Sequence, residues 1–249
     1  MNVDIWSDIA CPWCFIGKRR FEKALAEFPH KDQVTVTWHS FQLDPSLPER
    51  YDGTELEYLS QRKGLPEDRV AQMFEQVTHV AAGEGLAYDF SAIVVANSFR
   101  GHELLHLAKD HDASNPERRA ADAVKDALLS AHFEQGKDIG SREVLVGIGT
   151  AAGLAEPEIA AALDAGTYRD AVSADIREAQ MLGIQGVPFF VFDRKYGVSG
   201  AQPAEVFAQA LDTAWRESNP LVMMAAARDD ADGQTDGELT GQACGPEGC

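Results

Sequence analysis

Apolar positions change period several times along this chain, and the changes mark out its elements. Val3, Ile5 and the ring of Trp6 give 2–7 the alternation of a short strand. From Pro12 onward, Phe15, Ile16, Ala24, Leu25 and Phe28 recur at helical spacing. Alternation returns over 33–41, where Val34, Val36 and Trp38, extended to Phe41, sample a buried side. Pro45, Pro48 and Gly53 make 42–53 a loop. From 54 to 183 only helical patterns occur. They cover 54–63, 66–82, a segment capped by Asp89 or Ser91 and running to 109, one opened by Asn115-Pro116 and running to 132, then 141–152, 157–165 and 168–182. Strand character reappears at 187–193 and, after a tight link, at 196–199, and a last helix is predicted over 203–217.

Without the helical block, a βαβ unit and a ββα unit remain, enough for a small mixed sheet with helices on it. The class is therefore α/β. One domain is built from 1–53 and 184–218, with an all-helical insertion at 54–183 and a tail at 219–249. Within the tail, 225–241 is small, polar and acidic, the composition of a flexible linker. It leads to Cys244-Gly-Pro-Glu-Gly-Cys249.

The chain has 249 residues, enough for a substantial core. With 40 Asp and Glu against 22 Lys and Arg it lacks the basic face that nucleic acid requires. No apolar run is long enough to span a membrane, and no basic, then apolar, leader opens the chain, so a cytoplasmic location is expected. Its four cysteines form two close pairs, one near each end, unlike a structural disulfide framework.

The first pair, Cys11-Pro12-Trp13-Cys14, falls where a strand gives way to a helix. Pro12 suits the first helical position, Cys11 occupies the cap, and Cys14 follows one turn in. Unpaired N–H groups and the helix dipole favour a thiolate at Cys11, which is expected to be the more exposed, lower-pKa attacking sulfur, with Cys14 resolving. Trp13, between two residues that must be accessible, is expected with Pro12 on the substrate face. The competing reading is a zinc site shared by Cys11, Cys14, Cys244 and Cys249, since four thiolates satisfy tetrahedral zinc. The long helical pattern after Cys14 favours redox exchange, with no metal and no organic cofactor.

Lys18, Arg19, Arg20 and Lys23 read as a solvated helix face. His39, His102 and His106 lack metal-ligand spacing and read as core or surface histidines. Gly147-Ile-Gly149-Thr-Ala-Ala152 matches a dinucleotide-binding pattern formally. It lacks the preceding strand, and Leu145, Ile148 and Ala152 carry one helical face through the glycines.

Together Asp8-Ile9-Ala10-Cys11-Pro12-Trp13-Cys14, Phe41-Gln42-Leu43, Asn97-Ser98, Gly183-Ile184-Gln185-Gly186-Val187-Pro188 and Gly200-Ala201-Gln202 resemble the DsbA-like branch of the thioredoxin superfamily, and within it the FrnE-like proteins. The resemblance covers about 1–218. It implies a thioredoxin fold interrupted by a helical domain, and a cis bond before Pro188 facing the disulfide. Val187 and Pro188 are then substrate-facing, their backbone free to pair with an extended client. Asn97 matches a family position, although as a mid-helix polar residue it would bond locally.

A related branch, the 2-hydroxychromene-2-carboxylate isomerases and kappa-class glutathione transferases, carries serine at the position of Cys11. A glutathione-dependent isomerase or transferase is therefore the alternative activity. The expected function is protein disulfide oxidation or isomerisation, with protein thiols and disulfides, or small thiols such as glutathione, as partners. Cys244 and Cys249 resemble the C-x4-C tail of FrnE-like proteins. As a flexible coil, the 24 residues from Pro220 to Cys244 would reach about 27 Å, against a radius of gyration of about 18 Å for a compact chain of this length. The tail dithiol is thus expected to serve as a second redox pair that exchanges with the first.

Overall fold

The computed structural model describes residues 1–114 and 119–220. Cys244 and Cys249, and the helix start expected at Asn115-Pro116, lie outside the described residues. The first strand, β1 (Asn2–Ser7), is central in a four-stranded sheet of order β2-β1-β3-β4. β2 (Thr35–Ser40) runs parallel to it, β3 (Phe189–Phe192) antiparallel, and β4 (Tyr196–Ser199) pairs antiparallel with β3. The β1 register sets Ile5 against both Trp38 and Phe190.

Alternation along β1 feeds two layers. Val3 and Ile5 join Phe190 and Phe192 in a core closed by α1 (Pro12–Glu27) and α9 (Ala204–Ser218). The rings of Phe21, Phe190 and Phe207 meet there at centroid distances of 4.5 to 5.8 Å, and all three are fully buried. Each such ring contributes roughly 1.5–3 kcal/mol. Trp6 instead packs with Ala179 of α8 (Arg169–Met181) and with Ile184.

Charge fixes this second layer. His39 stacks on Trp6 at 4.4 Å and sits 3.0 Å from both Asp4 and Asp175. Asp175 also meets His106 at 3.0 Å and accepts the Ser40 N–H at 2.8 Å. Against the opposing effect of burial, these partners hold the Asp175 carboxyl well below the usual range and raise His39. Among the described residues, His39, Asp175 and Glu178 make the one group with ligand atoms close enough to hold a metal ion.

Between β2 and β3 lie α2 (Glu55–Lys63), α3 (Glu67–Gly83), α4 (Phe99–Ser114), α5 (Ala120–Phe133), α6 (Arg142–Ala151), α7 (Glu156–Ala165) and α8. Thr54 and Glu57 close a reciprocal capping box on α2, and Gly64 ends it at φ +63°, a conformation glycine adopts without steric cost. As the sequence suggests, α6 runs through Gly147 and Gly149, so no strand precedes those glycines to make a nucleotide site. Among the described residues, no helix is long and apolar enough to cross a membrane.

Three expectations are corrected. Asp89 and Ser91 do not cap a helix to 109. Asp89 Oδ1 accepts the Ser91 N–H and hydroxyl, the β-branched run Ile93-Val94-Val95 stays non-helical, and α4 starts only at Phe99. Asn97 is accordingly not mid-helix. Its Oδ1 takes the Phe99 N–H at 2.9 Å and its Nδ2 donates to Leu47 O at 2.6 Å, tying the start of α4 to the loop after β2. Lys18 does not belong to a solvated face: it is 1% exposed and paired with Glu22, Asp122 and Asp126, the last two carried by α5.

Candidate active site

Cys11 is the N-cap of α1, Pro12 its first residue, and the Cys14 N–H donates to Cys11 O at 3.0 Å. Both cysteines are free and buried, Cys11 at 4% exposure and Cys14 at 1%. The carbonyl of Pro12 accepts the Tyr88 hydroxyl at 2.7 Å, and Tyr88 stacks against Phe15, so the turn between the sulfurs is held from outside α1.

The Val187–Pro188 peptide is cis, as the resemblance implies. Cys11 Sγ donates to Val187 O at 3.5 Å. Val187 is half-buried and Pro188 buried. Gly17 makes this approach feasible, since a Cβ there would lie 2.8 Å from Pro188 Cγ. Arg20 braces the same corner from α1, with its guanidinium on Glu84 at 2.5 Å and on Ala201 O at 2.7 Å.

Cys11, Pro12 and Trp13 open onto a cavity of about 530 Å³; Cys14, Val187 and Pro188 do not line it. Leu43, Leu47, Leu59, Met73, Phe74, Val77, Phe90 and Val95 form most of its wall, contributed by the loop after β2, by α2 and α3, and by the stretch before α4. Trp13 is 40% exposed at the edge. The polar lining comprises Asp8, Ser98 and His132, Asp44 from the loop after β2, Glu55, Tyr58, Arg62 and Lys63 of α2, and Gln76 of α3.

Behind the thiols lies a buried charged layer. Asp8, 2% exposed, accepts Leu43 N–H at 2.7 Å and faces His102 Nε2 at 3.3 Å. Burial opposes its ionisation, but the His102 and Leu43 contacts prevail and hold it below the usual range. His102 is lowered by its own burial, and burial pushes His132 down to about 4, so both rings are neutral at pH 7. Lys125 on α5 is fully buried, with Nζ donating to Ser7 O at 3.4 Å and 5.8 Å from the Trp38 ring centroid. Burial pushes it down to about 8, against the attraction of Cys14, Asp8 and Cys11.

This layer corrects the expectation that Cys11 carries the lower pKa. The hydrogen bond shared with Cys14, then burial, then the Cys14 charge push Cys11 well above the ordinary thiol range. Cys14 is lowered: burial opposes this, but the Cys11 hydrogen bond and the Lys125 charge outweigh it. The physical reason is placement. The Lys125 cation favours the Cys14 thiolate, while the charges of Cys14 and Asp8 oppose one on Cys11. Of the two, Cys14 is therefore the one whose ionisation is favoured, and Cys11, whose residue lines the cavity, the one that holds its proton.

Lys125, Glu55, Tyr88 and His132 were not singled out by the sequence reading. Lys125 did leave a signal, because it falls on the apolar face between Ala121, Val124, Leu128 and Leu129, where a solvated lysine is out of place. Glu55 left none. It reads as an ordinary first-turn acid, yet burial pushes its carboxyl up to about 7.

The sequence model of the DSBA-like thioredoxin domain matches residues 2–212. A probable DsbA oxidoreductase from Streptomyces coelicolor, known as a crystal structure, is 44% identical, with a TM-score of 0.79 and an alignment covering 100% of this chain and 98% of that one. The uncharacterized protein YwbO of Bacillus subtilis (strain 168) is 25% identical over 218 residues, 85% of this chain and 96% of its own. The cytosolic disulfide reductase DsbM of Pseudomonas aeruginosa, solved with GSH, shares the fold at 24% identity and a TM-score of 0.57, over 87% of this chain and 100% of its own.

Proposed function

The chain belongs to the DSBA-like thioredoxin domain family, and from that premise we propose that it is a thiol–disulfide oxidoreductase or isomerase working through Cys11 and Cys14. The observation that carries the reading is Cys11 at the cap of α1, lining a cavity with a mainly apolar wall and backed by Cys14 and the Lys125 cation.

In the forward direction the proton on Cys11 passes to Cys14, and the Cys11 thiolate attacks one sulfur of a substrate disulfide. A Cys11–substrate disulfide forms and one substrate thiolate leaves. Cys14, its thiolate favoured by Lys125, then attacks the Cys11 sulfur and releases the second substrate thiolate. The enzyme dithiol has become a disulfide and two electrons have reduced the substrate; the one proton, then on Cys14, passes to a departing thiolate, and the other thiolate takes one from solvent. The reverse sequence oxidises a dithiol. Cys11 is the attacking sulfur because its residue lines the cavity, although ionisation is favoured at Cys14.

We further propose a FrnE-like enzyme of the cytoplasm, with residues 54–183 as a helical insertion that builds most of the cavity wall. Trp13 and Pro12 form the substrate face, with Val187 offering backbone groups beside the sulfur, while Pro188, expected there too, is buried and outside the cavity lining. Cys244 and Cys249 act as a second dithiol that exchanges with the Cys11–Cys14 disulfide. Thiols and disulfides of proteins or small molecules are the partners, and the GSH in the DsbM structure is in keeping with the second group.

Reduced protein treated with a small disulfide and then mapped by mass spectrometry tests the reading. A Cys11–Cys14 cross-linked peptide is the expected product. Stable adducts on Cys11 with Cys14 still free would support the transferase alternative instead.

A further inference from the structure

Glu55 is out of place for a first-turn glutamate. Thr54 and Glu57 already cap α2 between them, so the helix end does not need it. Its residue is 9% exposed and lines the same cavity as Cys11. Among the described residues no hydrogen bond or ion pair engages its carboxyl. The nearby guanidinium of Arg62 is committed to Asp44 at 2.9 Å, and Lys63 is exposed, where water screens it. A carboxyl so nearly withdrawn from water, with no protein partner, is costly and persists where something else uses it.

The cavity defines the rest of the ligand. Its volume is in the range that holds one small molecule, and Leu59, Met73, Phe74 and Phe90 line it with apolar surface. A molecule seated there would set its disulfide at Cys11, its body against these side chains, and a distal group at Glu55. A carboxylate there would repel Glu55 or force it to stay protonated. An ammonium would supply the missing partner through a charge-assisted hydrogen bond.

We propose that this site selects low-molecular-weight disulfides with an apolar body and a protonated amine at the far end, and that Glu55 reads the amine. The proposal rests on the exchange reaction above and names its substrate class. The chemistry is unchanged: the Cys11–Cys14 dithiol is oxidised, and the bound disulfide is cleaved to two thiols. Glu55 is a specificity residue and takes no part in sulfur transfer.

The test is single-turnover oxidation of the reduced full-length chain by three aromatic disulfides of one scaffold ending in an ammonium, a hydroxyl or a carboxylate. A disulfide-bonded unfolded protein is run in parallel. The ammonium compound should react faster than the hydroxyl compound by about tenfold at subsaturating concentration, the gain lying in half-saturation rather than in the limiting rate. The carboxylate compound should be slowest. Glu55→Gln should abolish the preference, bringing the ammonium and hydroxyl rates together, and a urea unfolding curve with the wild-type slope shows that the variant is folded.

Equal wild-type rates for ammonium and hydroxyl, a preference that survives Glu55→Gln, or faster reaction with the unfolded protein would each overturn the assignment while leaving the exchange activity standing. Failure of all four disulfides to oxidise Cys11 and Cys14 would remove the exchange reading, and this inference with it.

Discussion

Replacing Lys125 by Met separates the two things the buried cation does. Its ammonium lies wholly out of water, with Ser7 O at 3.4 Å and no carboxylate within salt-bridge distance among the described residues. A lysine pushed down from 10.5 to about 8 corresponds to about 3 kcal/mol of lost stability. The sign follows from linkage. Below pH 8 both the folded and unfolded chains carry the proton, and the folded chain holds it in a poor environment, so the cost is fully present. Above pH 8 the folded chain releases it first, and the cost has vanished once the unfolded chain also loses it near 10.5. Met fills the same space without charge. Lys125→Met should therefore raise the urea unfolding free energy of the reduced protein at pH 7 by about 2–3 kcal/mol. The gain should shrink as the pH approaches 10.5.

The same change removes the cation that favours the Cys14 thiolate. Thiolate ultraviolet absorbance should titrate at higher pH, and the resolving attack by Cys14 at pH 7 should slow by about three- to fourfold for each unit of that rise, since a higher pKa returns part of the lost thiolate as nucleophilicity. The oxidised enzyme should also become harder to reduce, because the thiolate form has lost a stabilising charge. A variant with an unchanged thiolate titration and exchange rate would refute the role of Lys125. A variant less stable than wild type at pH 7 would refute its cost.

Three further changes probe other parts of the account. Gly17→Ala should displace Pro188 from α1 and destabilise by about 1 kcal/mol net, the overpacking outweighing the gain in helix propensity; exchange should slow as the Val187 carbonyl leaves Cys11, and an unchanged rate would count against that contact. Burial holds His132 neutral down to about 4, so the unfolded chain alone binds a proton as pH falls from 6.5 towards 4, and about 3 kcal/mol of stability should disappear over that interval. His132→Leu should flatten that part of the urea-stability profile, and an equally steep loss in the variant would assign it elsewhere. Truncation after Gly241 should leave the fold unchanged but slow turnover or shift the redox equilibrium, whereas identical kinetics would leave Cys244 and Cys249 without a part in exchange.

Much of the fold was legible because its signals are local. The βαβ opening, the β3–β4 hairpin and α9 follow from periodicity and from Pro12 at a helix start. The strand-to-helix position of Cys11 and Cys14 was readable for the same reason. Misreadings occurred where a local pattern had two solutions. Asp89 and Ser91 offered a helix cap, but they bond one another in a turn while Ile93 and Val95 are buried in an extended stretch. Lys18 sat among basic neighbours, and only α5 supplies the acids that draw it inward.

The protonation of the thiols was beyond a local reading altogether. Helix-end physics predicts a low pKa at Cys11, but Lys125 arrives from a distant helix on the other side of the pair. Nothing in the spacing of α1 reports it. Glu55 was hidden for the complementary reason: a cavity is a property of packed elements, and the sequence shows only an acid where helices favour one.

The central claim, that Cys11 attacks and Cys14 resolves, is tested most directly by trapping. Cys14→Ser, incubated with a disulfide substrate under mild oxidation, should accumulate a covalent adduct that peptide mapping locates on Cys11 and that a reductant releases. Cys11→Ser, with Cys14 covered by the first turn of α1 and away from the cavity, should form none. Adducts on Cys14 in the Cys11→Ser protein at a rate equal to those on Cys11, or no adduct in either variant, would contradict the account.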